Sequence, residues 1–137
     1  MYKKFIYLIL IFCLSLGLSA CKKPKTIILF NNYPITKENL LSNASQFTAG
    51  KRIYYIFITE IPLDMNIIRV RILKKEGKGT FGPVKLIYSN DFRLNKDQTY
   101  YYNDYIVINE AGDYTMAIYA RDDLDNPLTT ADFRVKN

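Results

Sequence analysis

Apolar and polar residues alternate with a period of two along much of the chain, and this pattern predicts antiparallel β-strands. In the segment 67–73, Val70 and Ile72 would face one side of a sheet while Arg69 and Arg71 face the other. Gly, Pro, Asn and Asp residues interrupt the alternation about every ten residues, as expected for turns. We therefore expect short strands joined by turns.

The segment 52–59 (RIYYIFIT) is nearly all apolar, as a central strand covered on both sides would be. Further strands are predicted from the apolar residues 27–30, at 84–88, from residue 99 onward, at 114–120 and at 130–135. The glycine-rich segment 74–82 is predicted to be a loop. Only the segment 36–45 could begin a helix, with Thr36 as N-cap, and it supports at most a single turn.

About seven strands in about 110 residues fit a two-layer antiparallel sandwich. The chain has 137 residues, and no internal repeat or low-complexity linker divides it. We therefore expect residues 26–137 to form one all-β domain.

The first residues have the form of a secretory signal. Lys3 and Lys4 are followed by sixteen uncharged, mostly apolar residues up to Ala20. A membrane-spanning helix is the alternative, but it needs ~17–25 apolar residues, and this run ends in small residues rather than a basic stop. We expect residues 1–20 to be a signal peptide that is cleaved between Ala20 and Cys21.

The sequence Leu18-Ser19-Ala20-Cys21 resembles the lipobox of bacterial lipoproteins at all four positions. The resemblance implies that the Cys21 thiol receives a diacylglyceryl group and that the new amino terminus is acylated, for example by palmitate. Two or more chains anchor a protein durably to a membrane. Residues 21–25 would then be a short tether to the lipid membrane of the bacterial cell envelope.

The residue after the lipobox cysteine is Lys22 rather than Asp. By analogy with the lipoprotein family, this favours the outer membrane in a cell with two membranes, and the cell membrane otherwise.

A second resemblance lies near the carboxyl end of the chain. Gly112-Asp113-Tyr114-Thr115-Met116 is similar to the tyrosine corner of immunoglobulin-like domains. It implies that the Tyr114 hydroxyl returns to backbone upstream of it. The segment 47–51 is similar to the approach to the second strand of bacterial immunoglobulin-like modules. The chain lacks the Cys pair and the core Trp of antibody domains, so the resemblance is to disulfide-free modules, which share a scaffold and not an activity.

The amino-acid composition limits the catalytic and metal-binding groups that the chain can provide. The chain has no His and no Trp, and Cys21 is the one cysteine left after cleavage, which excludes His-based triads, His-ligated metals and an intrachain disulfide. Loss of Lys3 and Lys4 leaves 17 Lys and Arg against 13 Asp and Glu, a mild basic excess of +4. We expect no enzyme activity, no cofactor and no nucleic-acid partner.

Three loops carry residues that could bind or react. Glu60 and Asp64 are read as turn residues rather than a catalytic pair, and the glycines of 76–82 as a flexible loop rather than a phosphate cradle. The segment 122–126 clusters oxygen ligands, and an Asx-type turn is favoured there over a Ca²⁺ site.

The tyrosine-rich segment is the most distinctive feature of the chain, and its four tyrosines in six residues are Tyr100, Tyr101, Tyr102 and Tyr105. Alternate residues of a strand face opposite sides, so some of them must be exposed. They form a possible contact surface for a glycan or an envelope protein, or they are simply favoured strand residues. A basic stripe of Arg69, Arg71, Lys74 and Lys75 could likewise face anionic lipid or only solvent.

The sequence thus predicts a membrane-anchored envelope lipoprotein acting as a non-catalytic binding or structural module. An assembly subunit that adds an edge strand to a partner's sheet is the alternative, and a hydrolase, or an inhibitor or accessory of an envelope enzyme, ranks last. Glycan binding requires a coplanar exposed Tyr pair. Strand addition requires a long edge without inward charge or bulge, and an enzyme requires a concave pocket with perturbed carboxylates.

Overall fold

The computed structural model describes residues 25–77 and 82–137, and these residues form eight strands and no helix. The strands are β1 (Thr26–Asn31), β2 (Gln46–Thr48), β3 (Arg52–Thr59), β4 (Ile67–Lys75), β5 (Val84–Arg93), β6 (Tyr101–Val107), β7 (Gly112–Ala120) and β8 (Thr129–Lys136). The predicted all-β fold with two layers is confirmed. The predicted signal peptide and Cys21 lie outside the described residues.

The strands form a three-stranded sheet in the order β1-β3-β6 and a five-stranded sheet in the order β2-β8-β7-β4-β5. All pairs are antiparallel except β2 with β8, which is parallel. This short β2, which was not predicted as a strand, raises the number from about seven to eight. Within the described parts of the chain, no helix is long and apolar enough to cross a membrane.

The core lies between the two sheets and follows the period-two pattern. In β4, Ile68, Val70 and Ile72 are at most 1% exposed, while the arginines between them face outward, as predicted. Tyr114, Met116 and Ile118 of the neighbouring strand β7 also face the core. The inward residues of the three-stranded sheet pack against them. The side chain of Thr26 bonds to the Leu128 carbonyl oxygen at 2.6 Å, which links the two sheets on the β1 side.

β5 is longer than the sequence predicts, because it continues past Tyr88 to Arg93. Its polar residues Ser89, Asn90 and Asp91 have low strand propensity, but β5 is an edge strand and they remain exposed. β4 also extends to Lys75, so the predicted loop at 74–82 begins only after that residue.

The segment 36–45 contains a turn at 37–41 and no helix. Thr36 does not act as an N-cap. Instead, the Asn39 side chain accepts a hydrogen bond from the Thr36 backbone N–H at 2.8 Å and donates one to the Pro34 carbonyl oxygen at 2.9 Å. These local bonds hold the backbone in a turn that competes with a helix.

Candidate binding surface

The outer face of the three-stranded sheet is apolar and aromatic. The strand registers place eleven residues there, namely Ile27, Leu29, Asn31, Arg52, Tyr54, Ile56, Ile58, Tyr101, Asn103, Tyr105 and Val107, which we call the aromatic face. Eight of these eleven are apolar or aromatic, and Arg52 is the one charged residue among them. A soluble antiparallel sheet normally turns polar residues to this side.

Two rows of the aromatic face show how the residues align across the sheet. Ile27, Ile58 and Tyr101 form the row at the end where β1 begins, and the next row ends in Asn103. Tyr101 is 39% exposed and Tyr105 is 44% exposed, while Ile58 is half-buried among its neighbours. Three strands spaced ~4.8 Å apart and about six residues long give a surface of roughly 300 Å², which is the size of the largest apolar patches on monomeric proteins.

The far end of the aromatic face is partly covered by the chain that leaves β1. Asn31 is only 8% exposed, and its side-chain amide donates to the Ser42 carbonyl oxygen at 2.9 Å. The same segment lines a depression of about 230 Å³ beside Tyr54 and Tyr105. The open part of the face is therefore the part nearest the start of β1.

Tyr54 and Tyr105 form an aromatic pair on this face, with ring centroids 5.8 Å apart and planes at 53°. The Arg52 guanidinium lies 4.5 Å from the centroid of the Tyr105 ring, which is a cation–π contact. The tilt between the rings does not provide the coplanar platform that stacking on a sugar requires.

The outer face of the five-stranded sheet has the opposite character, because ion pairs cross it. Arg69 donates two hydrogen bonds to Asp91, at 2.6 and 2.9 Å, and Arg121 donates a third at 2.9 Å. The hydrogen bond from Arg69 is the main cause that lowers the pKa of Asp91. Arg134 bonds to Asp113 at 2.6 Å and lowers the pKa of that carboxyl in the same way.

The predicted basic stripe does not form a free cationic surface. Arg71 and Lys75 are engaged on this outer face, as Arg69 is, whereas Lys74 has the phase of the buried Ile72 and reaches Glu110 in the loop between β6 and β7. Arg71 lies 4.8 Å over the Tyr119 ring, Lys74 bonds to Glu110, and Lys75 bonds to Asp132 at 2.6 Å. Charges of both signs are thus matched on this side of the molecule.

The predicted contact surface in the tyrosine-rich segment must be corrected at one position. Tyr102 faces the core, is 7% exposed and donates a hydrogen bond to Asp104 at 3.0 Å. Burial, and then the Asp104 charge, raise the pKa of Tyr102. Tyr101 and Tyr105 lie on the aromatic face, and Tyr100, just before β6, is 50% exposed.

Tyr114 makes the contact that the tyrosine-corner pattern predicts. Its side chain is 1% exposed, and its hydroxyl donates a 2.7 Å hydrogen bond to the Glu110 carbonyl oxygen, four residues upstream. The ring stacks on Phe133 with centroids 5.6 Å apart. Burial raises the pKa of Tyr114.

A cleft of about 400 Å³ opens between β5 and β6, where the two sheets end on the same side. It is lined mainly by apolar side chains, including Ile72, Ile106 and Ile108, and Glu110 is the carboxylate at its rim. The hydrogen bond from Lys74 lowers the pKa of Glu110.

Both edges beside this cleft carry features that oppose pairing with another strand. On β6, Asp104 faces inward and its carboxylate accepts the Tyr105 backbone N–H at 2.8 Å. On the β5 side, the pairing with β4 is irregular between Ile72 and Leu73, which is a β-bulge. Inward charges and bulges are the devices by which natural edge strands avoid partners.

The loop residues with candidate chemistry are used in local structure. The Asp123 carboxylate accepts the backbone N–H groups of Asp125 at 3.3 Å and Asn126 at 3.2 Å, as in an Asx-type turn. Glu60 accepts the backbone N–H of Lys25 at 3.1 Å. Across residues 25–77 and 82–137, no group of three metal-ligating side chains is close enough together to hold an ion.

No family model matches this chain, and a search of curated proteins finds no match. The aromatic face as a whole was not predicted from the sequence, although Tyr101 and Tyr105 were candidates. The pattern that could have revealed it is the missing alternation in 52–59, since a strand that is apolar on both sides in a two-layer fold must leave one apolar side outside.

Proposed function

We propose that this chain is a membrane-anchored lipoprotein of the bacterial cell envelope, and that its immunoglobulin-like domain is a non-catalytic binding module. The observation that carries the proposal is the contrast between the two outer faces. The aromatic face has one charged residue among eleven, whereas several ion pairs cross the other sheet, whose exposed apolar residues Val84, Leu86 and Ile87 are confined to its edge strand β5. The largest apolar patch on a monomeric protein is often functional, and the aromatic face is of that size.

The anchor in this proposal is the lipid on Cys21. Support for it comes from the lipobox at residues 18–21 and from the basic and apolar segment before it. The support for the immunoglobulin-like scaffold is the two-sheet order together with the Tyr114 hydrogen bond to backbone.

The non-catalytic role in this proposal is based on the functional groups that the chain has. The chain has no His, which is the usual general base near neutral pH. The carboxyls of Asp91, Glu110 and Asp113 have lowered pKa values because Arg and Lys side chains bond to them at the surface. These carboxylates are ionised at neutral pH and form ion pairs, so they do not act as proton donors.

The two other binding modes receive less support from the geometry. At the two edges beside the cleft, strand addition would have to overcome the inward Asp104 on β6 and the bulge at Ile87 on β5. Glycan stacking would have to use Tyr54 and Tyr105, whose rings are tilted by 53°. A broad contact through the outer face of the sheet needs neither a free edge nor coplanar rings.

The anchor is tested by replacing each cysteine in turn in cells fed an alkyne analogue of palmitate. Cys21→Ser should abolish labelling and release the protein from the membrane fraction. Cys13→Ser is the matched control, since Cys13 lies inside the predicted signal and outside the lipobox. Labelling that survives in Cys21→Ser, or unchanged membrane fractionation of that variant, would refute lipidation at this site.

A further inference from the structure

We propose that the aromatic face lies on the surface of the lipid bilayer, so that the domain rests on its three-stranded sheet and turns its ion-paired face to solvent. This inference rests on the proposed lipidation of Cys21. It adds the partner of the aromatic face, which is the phospholipid surface itself, and the orientation of the domain on it.

The short tether limits how far the domain can be from the bilayer. Cys21 precedes Lys25 by four residues, and an extended chain spans at most ~3.3–3.6 Å per residue. The start of β1 at Thr26 must therefore lie within about 18 Å of the lipid-bearing Cys21. Because the tether joins β1, an outer strand of the three-stranded sheet, it holds the end of this sheet at Thr26 near the membrane.

The open part of the aromatic face lies at the same end of the sheet as the tether. Ile27 is the second residue of β1, and Ile58 and Tyr101 stand beside it on the next two strands. Strands are spaced ~4.8 Å apart, so Tyr101 is about 10 Å from β1. The row Ile27, Ile58 and Tyr101 can therefore reach the bilayer surface without any change in the fold.

The alternative is an end-on orientation, in which the loops at the start of β1 would meet the membrane. These loops are the segments 60–66, 94–100 and 121–128, which contain six acidic residues against two basic ones, and Lys22, Lys23 and Lys25 of the tether directly precede β1. An anionic leaflet repels such an end and attracts basic residues. The aromatic face has no carboxylate and carries Arg52, so its charge fits the bilayer better than the acidic end does.

The residue types of the aromatic face also suit a bilayer surface. Tyr54, Tyr101 and Tyr105 combine an apolar ring with a polar hydroxyl, the combination that is enriched at membrane–water interfaces. The aliphatic stem of Arg52 can lie along the apolar surface while its guanidinium reaches phosphate groups. Ile56 and Ile58 on the central strand β3 are purely apolar.

The experiment uses the mature lipidated protein, residues 21–137, reconstituted into vesicles of phosphatidylethanolamine and phosphatidylglycerol. A single cysteine is introduced as Asn103→Cys, at an exposed position of the aromatic face, and labelled with an environment-sensitive fluorophore. Thr130→Cys is the matched control, since Thr130 is an exposed residue on the outer face of the opposite sheet. The Cys21 thiol is already consumed by its lipid, so the introduced thiol alone reacts.

Nitroxide-bearing phospholipids should quench the label at position 103 at least twofold more strongly than the label at position 130, and its emission should shift to the blue. Equal quenching at the two positions, in protein that floats with the vesicles, would overturn the proposed orientation and leave the anchor intact. Disulfide-linked dimers of Asn103→Cys without quenching would overturn it in favour of a second copy of the chain. Protein that does not float with the vesicles would instead refute the lipid anchor, and this inference with it.

Discussion

Two buried tyrosines offer a matched test of the fold, because the same substitution removes a hydroxyl from two different environments. Tyr114 is 1% exposed and donates a 2.7 Å hydrogen bond to the Glu110 carbonyl oxygen. Tyr55 is also 1% exposed, but its hydroxyl makes no well-formed hydrogen bond among the described residues and has only the Tyr102 hydroxyl as a polar neighbour of this kind. We expect Tyr114→Phe to destabilise the domain and Tyr55→Phe to leave it unchanged or slightly more stable.

The expected change in the free energy of unfolding follows from the contacts that each substitution retains. Phe at position 114 retains the stacking on Phe133, at 5.6 Å between centroids, so only the hydrogen bond is lost. A buried hydrogen bond of this kind contributes about 0.5–1.5 kcal/mol net. For a domain of about 110 residues, each kcal/mol corresponds to a shift of about 4 °C in Tm. At Tyr55 the hydroxyl is desolvated and makes no well-formed hydrogen bond, so its removal costs less in hydrogen bonding than the loss of the Tyr114 hydroxyl.

Urea unfolding of the domain, followed by far-ultraviolet circular dichroism, measures both changes. The urea dependence of the unfolding free energy should be the same in all three proteins, so that differences in the midpoint report stability. Tyr101→Phe is a further control, since this side chain lies on the exposed aromatic face. A Tyr114→Phe midpoint equal to that of the natural protein, or a Tyr55→Phe loss of about 1 kcal/mol, would refute the hydrogen-bond assignments.

Two further predictions concern pH. In the folded state, hydrogen bonds from basic side chains lower the pKa values of three carboxyls, namely Asp91 (from Arg69), Asp113 (from Arg134) and Glu110 (from Lys74). The contribution of these ion pairs to the free energy of unfolding is therefore present above about pH 4 and is lost as the pH falls through the folded pKa values. The urea midpoint should decline below about pH 4, and less steeply in Asp91→Asn; a midpoint that stays flat down to about pH 3 contradicts this. Burial raises the pKa of Tyr55 and of Tyr102, and unfolded tyrosines ionise near pH 10, so stability should fall above about pH 10. In an absorbance titration these tyrosines should ionise only as the fold is lost, and ionisation of all ten tyrosines of residues 21–137 in a protein with native circular dichroism would contradict the burial.

The elements that were predicted correctly are those with a strict period of two. In β4 the outward Arg69 and Arg71 follow directly from the inward Val70 and Ile72. The end of β5 could not be found in this way, because the strand propensity of Asn90 and Asp91 is low and the strand is held by pairing with β4 and by the ion pair from Arg69. That partner lies 22 residues away in sequence, and local patterns carry no information about it.

The error at Tyr102 has a different cause. A run of consecutive tyrosines does not show which alternate residues face the core, since a tyrosine can lie on either side of a sheet. A shift of the pattern by one residue exchanges the two faces. The residue that shows which positions face the core is Ile106, further along the strand, which is buried. Counting back by two from Ile106 places Asp104 and Tyr102 inward and leaves Tyr101 and Tyr105 outside, as the structure shows.

The central claim is that a lipid on Cys21 holds this β-sandwich at a membrane, and the intact mass of the protein purified from native membranes tests it most directly. The account predicts a chain that begins at residue 21 and carries the added mass of a diacylglyceryl group and a further fatty acid. A chain that retains residues 1–20, or one that begins at an unmodified Cys21, would contradict it.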